Sequence, residues 1–135
     1  MLTFYFAPGS SSMAVHIALH EVGTPFESRP LSFARRDHRA PDFLAFNPEG
    51  KVPTLVIDGR VLTEVAAILY YLAKRFPEAK LLPEGGVEAE AQAISWMSFI
   101  AVAQDGAWRQ GIEHANTVFA IADRRLGARE WALVS

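Results

Sequence analysis

A tight reverse turn between two apolar runs constrains the fold of this chain more than any other feature. Asp58 and Gly59 separate the apolar residues 55–57 from residues 61–62. Both turn residues tolerate a positive φ angle, which the two-residue turns of β-hairpins require. The sequence therefore predicts a β-hairpin at this point of the chain.

The segments on either side of the hairpin carry further signals. Val52-Pro53 enters the first strand, and a proline cannot donate to a strand ladder, so the main-chain groups of Val52 are expected to face outward. A cis bond at this proline would fix that exposure. After the hairpin, Thr63 is expected to cap a buried, almost wholly apolar helix over residues 64–76. Glu64 would lie in its first turn, where free N–H groups favour an anion.

The preceding residues predict a strand, a helix, a strand and a helical turn. The apolar residues 2–6 form the first strand, and the serine run 10–12 precedes a helix over residues 13–22. Residues 26–31 form a second strand, placed at a sheet edge because Pro30 interrupts it. A basic loop follows, and a short helical turn over residues 42–46 leads back to the hairpin.

The pattern changes after a Pro-Glu-Gly-Gly linker, which sets a predicted domain boundary near residues 83–87. Apolar residues then recur at helical spacing over residues 87–101, as in a helix that packs against the first domain and a partner subunit. A second helix is expected over residues 113–129.

The net charge and the lack of cysteine argue against several classes of function. A net charge of −2 gives no electrostatic reason to bind nucleic acid or anionic membranes, and the chain contains no cysteine. The missing thiol excludes disulfide scaffolding, thiolate metal sites and redox mechanisms that need a protein thiol. With no leader pattern and no long apolar run, we expect a soluble, cytoplasmic protein.

The order of these features resembles the glutathione S-transferase family, and within it the bacterial beta class. The resemblance rests on the Gly-Lys-Val-Pro, Asp-Gly and Leu-Thr-Glu motifs of residues 50–64, on the opening residues 4–12, and on Leu81-Leu82-Pro83. It implies an α/β thioredoxin-like domain over residues 1–83, with the order βαβαββα and a mixed sheet. Residues 87–135 would form a shortened, truncated all-helical second domain.

The implied activity is conjugation of the glutathione thiol, as co-substrate, to electrophilic small molecules. A free thiol is only a few per cent thiolate at neutral pH, so an enzyme gains by stabilising the anion. Ser11 is the first candidate for this role because it aligns with the cysteine of beta-class relatives, and Ser12 is the second. Tyr5 is a third candidate, by analogy with classes that use a tyrosine. The alternative is that the serines only cap the helix and Tyr5 belongs to the core.

The resemblance also implies the glutathione-binding residues. Val52 would pair its main chain with the cysteinyl part of the tripeptide while Pro53 holds that geometry. Glu64 would face the γ-glutamyl amino group, unless it serves only the helix dipole. Val65 departs from the serine, threonine or glycine of relatives and offers only its backbone N–H.

Two cations could meet the glycyl carboxylate, Lys51 and Arg35, although such surface cations are commonly just solvated. The second catalytic histidine of beta relatives aligns roughly with Asp105, which removes a donor, and Trp108 is either pocket wall or core. His16 and His20 stand four residues apart, but a solvated helix face explains them better than a metal, and no metal is predicted.

Two functions remain open at this point. The first is a homodimeric glutathione transferase, whose second substrate is a hydrophobic electrophile bound by residues 96–108 and a second subunit. The second is a non-catalytic module that keeps the glutathione-binding fold for binding or protein interaction. The intact motif of residues 47–64 favours the first, whereas the shortened helical region, Val65 and Asp105 favour the second.

Overall fold

The computed structural model describes residues 1–110 and divides the chain into two compact units, Met1–Ile94 and Ser95–Ser135. The first unit contains a four-stranded mixed sheet in the order β2-β1-β3-β4. Its strands are β1 (Leu2–Phe6), β2 (Phe26–Pro30), β3 (Thr54–Ile57) and β4 (Arg60–Thr63). Its helices are α1 (Ser12–Glu21), α2 (Pro41–Leu44) and α3 (Val65–Arg75), and α4 (Gly86–Gln110) follows.

The element order up to α3 is βαβαββα, as the sequence predicts, and the sheet is the expected mixture of parallel and antiparallel pairs. β1 runs parallel to β2 and antiparallel to β3, which pairs with β4 through the Asp58-Gly59 turn. Both turn residues have positive φ, at 47° and 83°. The hairpin prediction is therefore confirmed, as is the thioredoxin-like class of the first domain. The domain boundary near residues 83–87 stays a prediction.

The core lies between one face of the sheet and helices α1 and α3. Because side chains alternate across a strand, Leu2 and Phe4 of β1 face this core. The buried apolar residues that form it are Leu2, Phe4, Val15, Ala18, Leu19, Leu55, Ile68 and Leu72. Tyr5 faces the other side of the sheet, where its ring packs 5.4 Å from that of Phe43 and 5.1 Å from that of Phe46.

The second strand lies at the sheet edge, as predicted from Pro30. Four of its five residues are exposed, and Glu27 forms an ion pair with Arg29 at 2.5 Å.

His16 of α1 is half-buried, with its ring 4.6 Å from that of Phe6. The interpretation of His16 as part of a solvated helix face is therefore wrong, because aromatic rings cover it.

Two predictions about α3 are also wrong. Thr63 is the last residue of β4, and Glu64 instead occupies the N-cap position without a side-chain capping bond. The helix is buried on one face only, through Ile68, Leu72 and Ala73. Its exposed Lys74 pairs with Glu90 of α4 at 2.6 Å, and this carboxylate raises the pKa of Lys74.

In the second unit, α4 continues to Gln110, and the rings of Trp96 and Phe99 pack edge to face at 5.9 Å. The side chains of Asp105 and Trp108 and the predicted helix over residues 113–129 lie outside the described residues. Within residues 1–110, no helix is long and apolar enough to cross a membrane.

Candidate functional site

The sheet topology brings four loop segments to the same end of the strands. β1 ends at Phe6 beside Pro30, the last residue of β2, while Tyr5 pairs with Thr54 at the start of β3. Thr54 in turn pairs with Thr63, the last residue of β4. The segments that follow or precede these ends are residues 7–12, 31–40, 47–53 and 64–67. All the catalytic and glutathione-binding residues predicted from the sequence, except Tyr5 in β1 itself, lie in these four segments.

The serine run closes the turn between β1 and α1. Ser12 is completely buried, and its hydroxyl donates to the Ala7 carbonyl at 3.1 Å and lies 2.5 Å from the Ser10 hydroxyl. Ser10 also donates to the Ala7 carbonyl, at 2.8 Å. Ser11 differs from both, because it is exposed at the N-cap of α1 and its side chain makes no capping bond. Its hydroxyl forms no hydrogen bond with the part of the chain that the structure describes.

The loop before β3 presents an open stretch of main chain. The bond between Val52 and Pro53 is cis, and Pro53 is buried. Within residues 1–110, neither the N–H nor the carbonyl of Val52 has a hydrogen-bond partner. The side chains of Asn47 and Thr54 both bind the Lys51 carbonyl, at 2.8 and 2.9 Å. An extended peptide could therefore pair with Val52 as an additional strand.

The start of α3 combines a strained residue with free donors. Glu64 is exposed and has φ 70° and ψ 127°, a conformation that residues other than glycine rarely adopt. Ile68 is the first residue whose N–H reaches back, at 3.0 Å, to the Glu64 carbonyl. The N–H groups of residues 65–67 precede it and have no acceptor within the helix, so this end of α3 attracts an anion. The carboxylate of Glu64 stands beside it and can accept from an ammonium group.

Both predicted cations have carboxylate partners. Arg35 binds Asp37 at 2.8 Å, and this guanidinium, together with the Ser32 N–H, lowers the pKa of Asp37. Lys51 lies 3.3 Å from Glu49, and both side chains are exposed. The two cations are therefore partly neutralised where the sequence alone suggested free positive charge.

Arg39 is a cation that the sequence reasoning passed over. No ion pair involves it among the described side chains of residues 1–101, and its guanidinium lies 3.2 Å from the position that a Cβ atom of Gly50 would occupy. Gly50 precedes Lys51 and Val52, so Arg39 lies next to the open main chain. Arg39 and Gly50 come together because the chain reverses direction between them. No local sequence motif predicts this contact.

Gly50 lies where the loop of residues 47–53 approaches the loop of residues 31–40. It has φ 60°, and a Cβ atom there would lie 2.7 Å from the His38 carbonyl oxygen. Gly23 has a similar φ of 64° but nothing within 4 Å of its Cβ position.

We therefore expect Gly50→Ala to lower the free energy of unfolding by about 2–4 kcal/mol, whereas Gly23→Ala should lower it by about 1–2 kcal/mol, the conformational cost alone. Urea denaturation of the two variants measures the difference. Equal losses in the two variants would contradict the close packing of Gly50 on the His38 carbonyl.

No group of three or more metal-ligating side chains occurs among the residues whose side chains the structure describes, 1–101. His16 and His20 have ring centroids 5.0 Å apart, and each ring packs against Phe26. This pair lies within an aromatic cluster and has no third ligand in the described part of the chain.

Comparisons with known proteins relate this chain to one family. Residues 1–74 match the family model of the glutathione S-transferase N-terminal domain. The glutathione S-transferase GstA of Escherichia coli O157:H7 is 35% identical over 102 residues, which cover 74% of this chain and 51% of that protein. A maleylacetoacetate isomerase of Rhizobium meliloti is 41% identical over 97 residues, covering 71% of this chain and 44% of that protein. The chain thus spans about half the length of these curated relatives.

A solved structure is also similar to this chain. The structure of a sphingomonad glutathione S-transferase complexed with glutathione superimposes with a TM-score of 0.81 at 33% identity, covering 94% of this chain and 71% of that one. The family model, the sequence relatives and this structural match agree with the motifs of residues 4–12 and 50–64. The chain belongs to the glutathione S-transferase family.

Proposed function

We propose that this chain binds glutathione and transfers it, through its sulfur, to a hydrophobic electrophile. The observation that carries the proposal is the convergence of three complementary features at one end of the strands. These are the open main chain of Val52, the N-terminus of α3 beside Glu64, and the exposed hydroxyl of Ser11. Each matches a different part of the tripeptide.

The cysteinyl part of glutathione fits Val52. A peptide in an extended conformation has an N–H and a carbonyl on the same side, which pair with the carbonyl and N–H of Val52 as in strand addition. Pro53, which is buried, holds this residue at the entrance to β3. Glutathione would satisfy two main-chain groups that have no partner within residues 1–110.

The γ-glutamyl part fits the start of α3. Its α-carboxylate would accept hydrogen bonds from the N–H groups of the first turn, beginning with Val65, and its ammonium group would face the Glu64 carboxylate. Val65 contributes its main chain only, because its side chain has no hydroxyl. The strained φ of Glu64 supports this assignment, since unusual backbone conformations cluster at ligand sites.

The glycyl carboxylate would lie toward the loop of residues 35–39. Among the cations there, Arg39 is adjacent to Gly50 and carries no ion pair within the described residues. Arg35 and Lys51 would have to exchange their carboxylate partners for the ligand. We therefore favour Arg39, with Arg35 and Lys51 as contributors to the positive potential.

The reaction needs the thiolate of glutathione. Ser11 lies at the N-terminus of α1, where the helix dipole stabilises an anion, and its hydroxyl can donate a hydrogen bond to the sulfur. The sulfur then forms a bond to the electrophilic carbon, and the leaving group departs with the bonding electrons. Ser12 is a weaker candidate because its hydroxyl already serves the Ala7 carbonyl, and Tyr5 is weaker because its ring packs with Phe43.

The protein would act in the cytoplasm, with a homodimer completing the hydrophobic site. Large apolar side chains of α4 support an interface between copies, because Val87 is 77% exposed and Ile100 is 50% exposed. A second candidate function is a non-catalytic binding module. The favouring observation is that Val65, the first residue of α3, offers no side-chain hydroxyl to a ligand.

Calorimetric titration of the full chain with glutathione at neutral pH tests the proposal. We expect saturable binding with a Kd in the micromolar to millimolar range, about −8 to −4 kcal/mol. The matched control is a tripeptide in which alanine replaces cysteine, which should bind through Val52 and α3 but lacks the sulfur. A folded chain that binds neither tripeptide would overturn both candidate functions.

Rate measurements then separate the two functions. Conjugation of a chlorinated nitrobenzene, or glutathione-dependent turnover of maleylacetoacetate, would establish catalysis. The second assay is included because one relative carries the name of that isomerase. Binding without turnover of any electrophile would favour the module.

A further inference from the structure

Two buried side chains hold a single carbonyl in the loop before β3. Asn47 is 3% exposed and Thr54 is completely buried. The two amide hydrogens of Asn47 go to the Lys51 carbonyl at 2.8 Å and to the Thr54 hydroxyl at 2.7 Å. The Thr54 hydroxyl donates a hydrogen bond to the same Lys51 carbonyl, at 2.9 Å. We call Asn47, Thr54 and the Lys51 carbonyl the carbonyl clamp.

The carbonyl clamp sets the direction of the next N–H group. The peptide bond between Lys51 and Val52 is trans, because Val52-Pro53 is the cis bond recorded for residues 1–110. In a trans peptide unit the carbonyl and the N–H point in opposite directions. Since the Lys51 carbonyl points toward the buried pair, the Val52 N–H must point away from it. This N–H has no acceptor within the described residues.

The rest of the loop reinforces this orientation. The Asn47 N–H donates to the Phe43 carbonyl at 2.9 Å at the end of α2, and the Gly50 N–H donates to the Asn47 carbonyl at 3.0 Å. Asn47 is thus held through both its main-chain N–H and its main-chain carbonyl. A donor aligned before the ligand arrives gives a stronger interaction than one that must be ordered on binding.

We propose that Asn47 and Thr54 are positioning residues that aim the Val52 N–H at the cysteinyl carbonyl of bound glutathione. Neither side chain touches the ligand in this assignment, and both act through the Lys51–Val52 peptide unit. The inference rests on the proposed glutathione function and adds to it the groups that orient the main-chain donor. Loss of the clamp should therefore weaken glutathione binding without altering the thiolate-stabilising group.

Substitution of Thr54 tests this role more specifically than substitution of Asn47, because valine has nearly the same shape as threonine. Thr54→Val removes one donor to the Lys51 carbonyl and the acceptor of Asn47, whereas Thr54→Ser keeps both. We expect Thr54→Val to raise the Kd for glutathione at least fivefold and Asn47→Ala at least tenfold. Thr54→Ser should restore the wild-type Kd to within about twofold.

Nuclear magnetic resonance of the ¹⁵N-labelled full chain supplies a readout that a purely structural role would not change. Glutathione should shift the Val52 amide resonance in the wild type and in Thr54→Ser, and shift it less in Thr54→Val. The matched control is Thr3→Val in β1. The Thr3 hydroxyl donates to the Glu27 carboxylate at 3.3 Å, and this hydrogen bond does not involve the loop before β3. Urea denaturation of the same samples verifies folding, and if Asn47→Ala does not fold, Thr54→Val alone decides.

The outcomes distinguish the positioning role from glutathione binding itself. A folded Thr54→Val chain with the wild-type Kd and the wild-type Val52 shift would overturn the positioning role while leaving glutathione binding intact. A folded wild-type chain that binds no glutathione at millimolar concentration would overturn the proposed function, and with it the use assigned to the carbonyl clamp.

Discussion

Replacing Ser11 by alanine is expected to lower the rate of glutathione conjugation about ten- to hundredfold. The hydroxyl is exposed at the N-terminus of α1, where it can donate to a thiolate. A hydrogen bond to a charged group contributes about 1.5–3 kcal/mol, which corresponds to one to two pKa units of the bound thiol. The rate with an excess of electrophile, followed from pH 6 to pH 9, measures this. Its rising limb should move to higher pH in Ser11→Ala.

Ser28→Ala is the matched control, because Ser28 is an exposed serine in β2. It should keep the wild-type rate and pH profile. An unchanged profile in Ser11→Ala would reject the role of Ser11 and transfer it to Ser12 or Tyr5. Ser12→Ala and Tyr5→Phe would then be compared in the same assay. In Ser12→Ala we also expect lower stability, since its buried hydroxyl joins the Ala7 carbonyl and N–H to the Ser10 hydroxyl.

Replacing Phe4 by alanine is expected to lower the free energy of unfolding by about 3–5 kcal/mol. Phe4 is completely buried at the centre of β1, and its ring stacks on that of Phe6 at 5.4 Å and meets Phe26 edge to face at 6.4 Å. The substitution removes the transfer free energy of the ring and leaves a cavity that strands and helices cannot fill. Urea denaturation followed by circular dichroism measures the change.

Phe33→Ala is the control for this measurement, because Phe33 is 50% exposed. Its effect should stay near 0.5 kcal/mol, as for most surface substitutions. If Phe4→Ala leaves too little native protein, Phe4→Leu provides a graded version with a loss of about 1–2 kcal/mol. A loss below 1 kcal/mol in Phe4→Ala would contradict the position of this ring in the core.

Local signals in the sequence predicted most of the first domain. The Asp58-Gly59 turn needs positive φ at both residues, and few residue pairs supply it, so the hairpin could be read directly. Pro30 identified the edge strand because a proline cannot donate to a second neighbour. The family motifs then supplied the order of elements, which the structure confirms.

Features that depend on tertiary contacts were harder to predict. The start of α3 was misassigned because threonine is a favourable capping residue, whereas the strained backbone of Glu64 carries no sequence signal at a non-glycine residue. The approach of Arg39 to Gly50 joins residues eleven positions apart through a chain reversal. The sequence offered both Ser11 and Ser12 as thiolate donors or helix caps, and only packing distinguishes the buried Ser12 from the exposed Ser11.

The edge strand β2 also bears on how copies of the protein avoid uncontrolled association. An exposed strand edge offers unpaired N–H and carbonyl groups on which other chains can aggregate as extended sheets. Here Pro30 removes one donor from that edge, and the Glu27–Arg29 ion pair adds charged side chains to it. These residues oppose growth of the sheet from one molecule into the next. The composition of β2 would thereby protect the protein against amyloid-like stacking.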